Sequence, residues 1–146
     1  MTGNLYNNSM WRIYYPDLRE FSNLSLKEER HLIARAKKGY KKEIDELVLR
    51  HIKFIAFRIS KTAFPLYRER FGDDILSEAI FILYDKIKTY NLRYKDKQGN
   101  PKPVRFASYI WKRVDGFIID FLKNVSIQEK KRVMMDLDKY REVIGK

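Results

Sequence analysis

Residues 44–60, IDELVLRHIKFIAFRIS, decide the fold class. Ile44, Leu47, Val48, Ile52, Ile55, Ala56 and Ile59 recur at i, i+3 and i+4, the period of an amphipathic α-helix, and predict one of roughly five turns. Upstream, Ser25-Leu26-Lys27-Glu28 has the S-x-x-E spacing of a capping box ahead of Leu32, Ile33 and Ala36, which predicts a helix of three to four turns. Lys37-Lys38-Gly39 supplies a cationic last turn and a glycine stop. Downstream, Pro65 is expected to end the long helix, and Gly72-Asp73-Asp74 to start the next, with Ile75, Ala79, Leu83 and Ile87 as its apolar stripe.

The stretch 91–103, NLRYKDKQGNPKP, carries a glycine, two prolines and several Lys and Arg, and reads as an exposed loop. Helical spacing resumes over 106–122 through Tyr109, Ile110, Val114, Phe117, Ile118 and Phe121, with Gly116 as a soft spot inside it. Residues 125–146 read as a separate charged helix or linker, with Val133, Met134, Leu137 and Ile144 on one side. Residues 1–23 hold Tyr6, Trp11, Tyr14, Tyr15 and Phe21 without periodicity and read as an irregular aromatic arm. No strand pattern or internal repeat is present, so the expected architecture is an all-α bundle over 24–124 between two terminal segments.

Composition bounds the chemistry. A chain of 146 residues fits one domain. Thirty-one Lys and Arg against nineteen Asp and Glu give a net charge of +12, which points to a polyanionic partner, nucleic acid before membrane. There is no cysteine, which removes disulfides, thiolate catalysis and thiolate-bound zinc. His31 and His51 stand apart with no metal-ligand spacing, and the glycines form no phosphate-cradling loop. Asp73, Asp74 and Glu78 converge poorly for a divalent ion, because adjacent helix positions diverge by about 100°. No metal, no cofactor and no enzymatic turnover are expected. The start, MTGNLYNNSMW, lacks the pattern of a signal peptide, and a cytoplasmic location is expected.

Two segments carry a family resemblance. FGDDILSEAIFILYDKIKTYN (71–91) resembles the D-L-I-Q-E-G helix of bacterial RNA polymerase sigma factors, and FASYIWKRVDGFIIDFLKN (106–124) resembles the promoter-reading F-x-x-Y-x-x-x-R-I-x-G-x-I-I-D-x-L-R helix of their alternative members. With 24–39 and 44–60 in the same order, the likeness covers about a hundred residues: region 2 of the sigma-70 family and part of region 1.2. The resemblance implies a subunit that docks on core polymerase and recognises and melts the promoter minus-ten element in a bacterial or phage-infected cell.

By the same resemblance, Asp74, Ser77, Glu78, Phe81 and Asp85 are the docking residues for the clamp coiled coil of the largest polymerase subunit. The family's usual Gln, Gly and Asn stand here as Ser77, Ala79 and Ile80, so the docking surface is idiosyncratic. The acidic run also suits the physics of a basic chain meeting a basic partner, although Asp73 or Asp74 is equally readable as a helix cap. Tyr109 matches the tyrosine on which a flipped base of the non-template strand stacks, Phe106 a supporting aromatic and Arg105 a backbone-contacting cation; from the residues alone, Phe106 is equally readable as core packing and Tyr109 also as a core aromatic. Lys112 and Arg113 replace the family's paired tryptophans, which implies weak intrinsic melting and, with Lys123, contacts to phosphate. Gly116 and Ile119 occupy positions that read the upstream base pair, and neither has a polar group for a bidentate contact. Trp111, about 100° round the helix from Lys112, is expected to pack inward. Asp115 and Asp120 read as salt-bridge partners or caps.

Sigma factors usually carry a C-terminal helix-turn-helix domain, and 23 residues after Lys123 do not hold one. The resemblance therefore implies either a compact, phage-like factor with a second DNA-binding protein for upstream contacts, the favoured reading, or one half of a split factor; 125–146 reads as a handle for that partner, a segment entering the polymerase channel, or a plain solvated helix. The rival reading is a stand-alone basic helical DNA-binding protein that needs no acidic docking patch.

Overall fold

A computed structural model describes residues 21–145. Of the expected aromatic arm, only its last three residues lie inside that range. Four α-helices account for most of the described chain: α1 (Leu26–Lys37), α2 (Lys41–Thr62), α3 (Pro65–Thr89) and α4 (Phe106–Ile144). Among the described residues there is no strand, only one isolated antiparallel bridge between Lys95 and Pro101 in the connection from α3 to α4.

The capping box forms as its spacing predicts. Ser25 Oγ accepts the Glu28 amide at 3.1 Å, and Glu28 Oε1 accepts the Ser25 amide at 3.1 Å. Gly39 then takes a φ of +94°, the left-handed turn that ends α1 at no steric cost to a residue lacking Cβ. α2 is the central element and packs against α1, α3 and α4. Its stripe is fully buried at Leu47, Ile52, Ile55 and Ile59, facing Ile33 of α1, Ile75 and Leu83 of α3, and Ile110, Val114 and Ile118 of α4. Each such side chain contributes roughly 1.5–3 kcal/mol by leaving water.

Two boundaries differ from the sequence reading. Pro65 does not trail the long helix but starts the next one at its first turn, where a missing N–H costs nothing. Gly72 is consequently buried inside α3, and Asp73 and Asp74 are mid-helix residues, not caps. The second difference is at the end of the chain, where the expected break near residue 124 is absent and α4 continues for 39 residues. Nothing in 122–131, LKNVSIQEKK, has the chemistry to stop a helix: it contains neither proline nor glycine. At 1.5 Å per residue this helix is about 58 Å long. Among the described residues its last ion pair to the bundle joins Arg70 of α3 to Glu129 at 2.8 Å, and from Lys130 to Gly145 every residue is exposed.

Candidate nucleic-acid interface

The start of α4 is built from charges borrowed from α1. The N-cap position holds Arg105, which makes no side-chain capping bond, so the first amides of α4 need acceptors from elsewhere. Glu29 supplies one: its Oε1 accepts the Phe106 amide at 2.7 Å, and its Oε2 lies 3.5 Å from Arg105 Nη1. Arg105 Nη1 also donates to the Leu24 carbonyl at 2.8 Å. At the other end of α1, Lys37 Nζ donates to the carbonyls of Lys88 (2.8 Å) and Tyr90 (2.6 Å), neutralising the C-terminus of α3. α1 thus fixes the end of α3 and the beginning of α4 relative to each other.

Tyr109 stands at that junction. Its hydroxyl shares a 2.8 Å hydrogen bond with Thr89 Oγ1, its ring meets Tyr90 edge to face with centroids 5.3 Å apart, and Lys86 Nζ lies over it at 4.8 Å. The Tyr90 hydroxyl in turn donates to the Val104 carbonyl. Tyr109 is half-buried, so part of the ring remains at the surface.

Phe106 requires a correction. It is fully buried, packed edge to face on His51 with centroids 4.9 Å apart and tilted against Tyr90 and Tyr109. Its ring has no face to offer a base and serves as the floor on which Tyr109 is positioned. His51 is buried with it, donating from Nδ1 to the Leu47 carbonyl at 2.7 Å, and burial holds its imidazole pKa below the ordinary 6.5 because the charged form would lose its water.

The remaining residues assigned to DNA share one exposed stripe. Tyr109, Lys112, Gly116, Ile119 and Lys123 follow one another at steps of three and four, with Arg113 beside them. The buried residues Phe106, Ile110, Val114 and Ile118 fall on the other side of α4. Around Gly116 there is open space out to 4 Å, and Ile119 is 41% exposed, so the middle of the stripe is shallow and apolar between cations. Trp111 does not pack inward. It is 40% exposed, with the Arg58 guanidinium 6.0 Å from its ring centre. One turn on, Asp115 holds Arg58 through two bonds of 2.8 and 2.5 Å, so Arg58 bridges α2 to both residues of α4. This is the salt-bridge role read for Asp115, whereas Asp120 is exposed and forms no ion pair among the described residues.

On α3 the candidate docking residues make a second stripe. Asp74, Ser77, Glu78, Phe81 and Asp85 are all exposed at helical spacing, Phe81 at 70%. Among the described residues none of the three carboxylates is paired with a cation. No cluster of His, Asp or Glu is placed to hold a metal ion among the described residues, and no helix there is long and apolar enough to cross a membrane.

Sequence reasoning missed Glu29, Lys86 and Thr89, and read Lys37 as the cationic last turn of α1 without its reach to the end of α3. Only Glu29 left a signal: it sits on the apolar stripe with Leu32, Ile33 and Ala36, and a carboxylate there must find a partner or stay unburied. No protein-family model, curated protein or solved structure matches this chain.

Proposed function

We propose that this chain is a sigma-type subunit that joins core RNA polymerase to the minus-ten region of a promoter. The single observation that carries the reading is the pair of unlike exposed stripes on one rigid bundle: carboxylates around Phe81 on α3, and cations around a half-exposed tyrosine on α4. In a chain of net charge +12, unpaired acids at helical spacing around an exposed phenylalanine suit a basic protein surface, not a nucleic acid. On α4, Arg113 and Lys123 form no ion pair among the described residues and Lys112 lies over the Trp111 ring at 5.9 Å, all three exposed where phosphates could meet them, and Tyr109 offers ring area for an unpaired base, each stacked base contributing about 1–3 kcal/mol. Arg105 is partly engaged by Glu29 and Leu24 and orients the helix start, with its remaining donors toward solvent. Phe106 acts by positioning Tyr109. The chemistry is binding, not turnover.

The experiment is co-purification of the tagged chain from its native cells at moderate salt, followed by promoter opening with the recovered complex. The large polymerase subunits are expected in stoichiometric yield. Glu78→Lys is expected to lose them, whereas Tyr109→Ala keeps them and loses the open complex. Recovery of nucleic acid alone would replace this reading with that of a stand-alone DNA-binding protein.

A further inference from the structure

We infer that residues 133–144 of α4 form a parallel, two-stranded seam with the same segment of a second copy of this chain. Val133, Leu137, Tyr140 and Ile144 recur at steps of four, three and four, the seven-residue repeat with which two helices interlock their side chains. They are between 45% and 63% exposed, and no residue from Lys130 to Gly145 is buried. The line is delivered on a helix already started, because the docked half of α4 fixes the first turns and with them the costly nucleus. A partner helix therefore meets a formed face and does not have to create one.

The charges beside the line select the occupant and its direction. One edge carries Met134 and Arg141, which follow Val133 and Tyr140; the other carries Asp136 and Val143, which precede Leu137 and Ile144. Neither Asp136 nor Arg141 has an ion pair among the described residues. When two such helices run parallel and in register, the acidic edge of each faces the cationic edge of the other. Asp136 then comes opposite the second copy's Arg141, five positions on, twice by symmetry. Run antiparallel, like edges meet: Asp136 faces Val143 and Arg141 faces Met134, so four charges press on apolar side chains without a counter-ion. Toward the bundle the same steps continue through Lys130, Ser126 and Lys123. Facing copies of Lys130 and of Lys123 repel, so the helices part below Val133 and the two bundles stand at the foot of a short stem. A seam over 133–144 is shorter than the roughly 20–30 residues a side of a stable complex. The pairing is therefore weak and reversible, and at micromolar concentration the chain is expected to remain single.

The chain contains no cysteine, so single introduced cysteines report contacts without background. The full chain carrying Val133→Cys, oxidised at millimolar concentration without polymerase or DNA, is expected to give a disulfide-linked dimer, and Ile144→Cys the same. Met135→Cys, on the opposite face of the helix, is expected to stay monomeric. In an antiparallel pair Val133 lies across from Ile144 and about 16 Å along the helix from its own counterpart, out of disulfide reach. Cross-linking only when the Val133→Cys and Ile144→Cys chains are mixed overturns the parallel seam. Sedimentation equilibrium of the unaltered chain is expected to show a monomer–dimer equilibrium. Asp136→Arg is expected to weaken it about fivefold to tenfold, and Asp136→Arg with Arg141→Asp to restore it. A monomer at every concentration, an affinity indifferent to Asp136→Arg, or equal cross-linking through Met135→Cys overturns the seam. None of these measurements involves polymerase or promoter, so the seam and the promoter reading can each fail without the other.

Discussion

The two halves of α4 belong to one unbroken helix and yet live under different rules. From Phe106 to Ile118 every fourth residue is buried against α2 and α3, and Arg58 clamps the outer side through Asp115. From Lys130 onward every described residue of the same helix is exposed, although Val133, Leu137, Tyr140 and Ile144 form an apolar line at steps of four, three and four. Apolar periodicity thus marks a face able to pack and does not say that anything packs there. In the first half the face has found α2, and in the second it projects into solvent. An isolated helix of that length is marginal in water, so its order depends on continuity with the docked half.

The sharpest way to break this contrast is in the docked half. Ile118→Ala, at a fully buried site, is expected to cost about 2–5 kcal/mol in urea unfolding through lost burial and a residual cavity. Leu137→Ala is expected to change stability by no more than about 0.5 kcal/mol, and a large effect there would show that the projecting half packs on something in solution. Next in size is Asp115→Asn, which strands the Arg58 guanidinium of α2 and is expected to cost about 1.5–3 kcal/mol in the same assay.

A smaller effect comes through His51, on which the first residue of α4 rests. Its folded pKa lies below the ordinary 6.5, so the unfolded chain takes up the proton first. Its contribution to stability is complete above about pH 6.5 and is lost as pH falls through the lower folded value. Melts between pH 8 and 5 are expected to show that decline, and His51→Gln to remove it. The smallest perturbation is none at all: native-state hydrogen exchange is expected to protect the amides of 110–122 strongly and those of 132–144 weakly. Equal protection would erase the distinction between the halves.

How far the candidate site was legible follows the same division. Tyr109, Lys112, Gly116, Ile119 and Lys123 were singled out by the family resemblance, and helical spacing accounts for their falling on one face. Phe106 was readable equally as a core residue and as a support for a base, and that Trp111 lies outside was not readable, since the helix has aromatics on two sides. Their placement depends on where α2 sits. The role of Pro65 was ambiguous in sequence because proline both ends one helix and begins the next. The structure resolves it by letting α3 start there, with Pro65 to Phe71 adding nearly two turns before Gly72.

The sequence by itself determined the local facts: which segments are helical, where the capping box and the glycine stop fall, and which residues share a face. Those follow from backbone geometry and nearest-neighbour chemistry, which act within a few residues. Tertiary structure alone decided that Glu29 caps α4 across 77 positions of chain, that Lys37 closes α3, and that Arg58 joins Asp115. A buried charge or an open helix end takes whichever partner lies within hydrogen-bond reach, and that distance is set by how the helices pack, not by their separation along the chain.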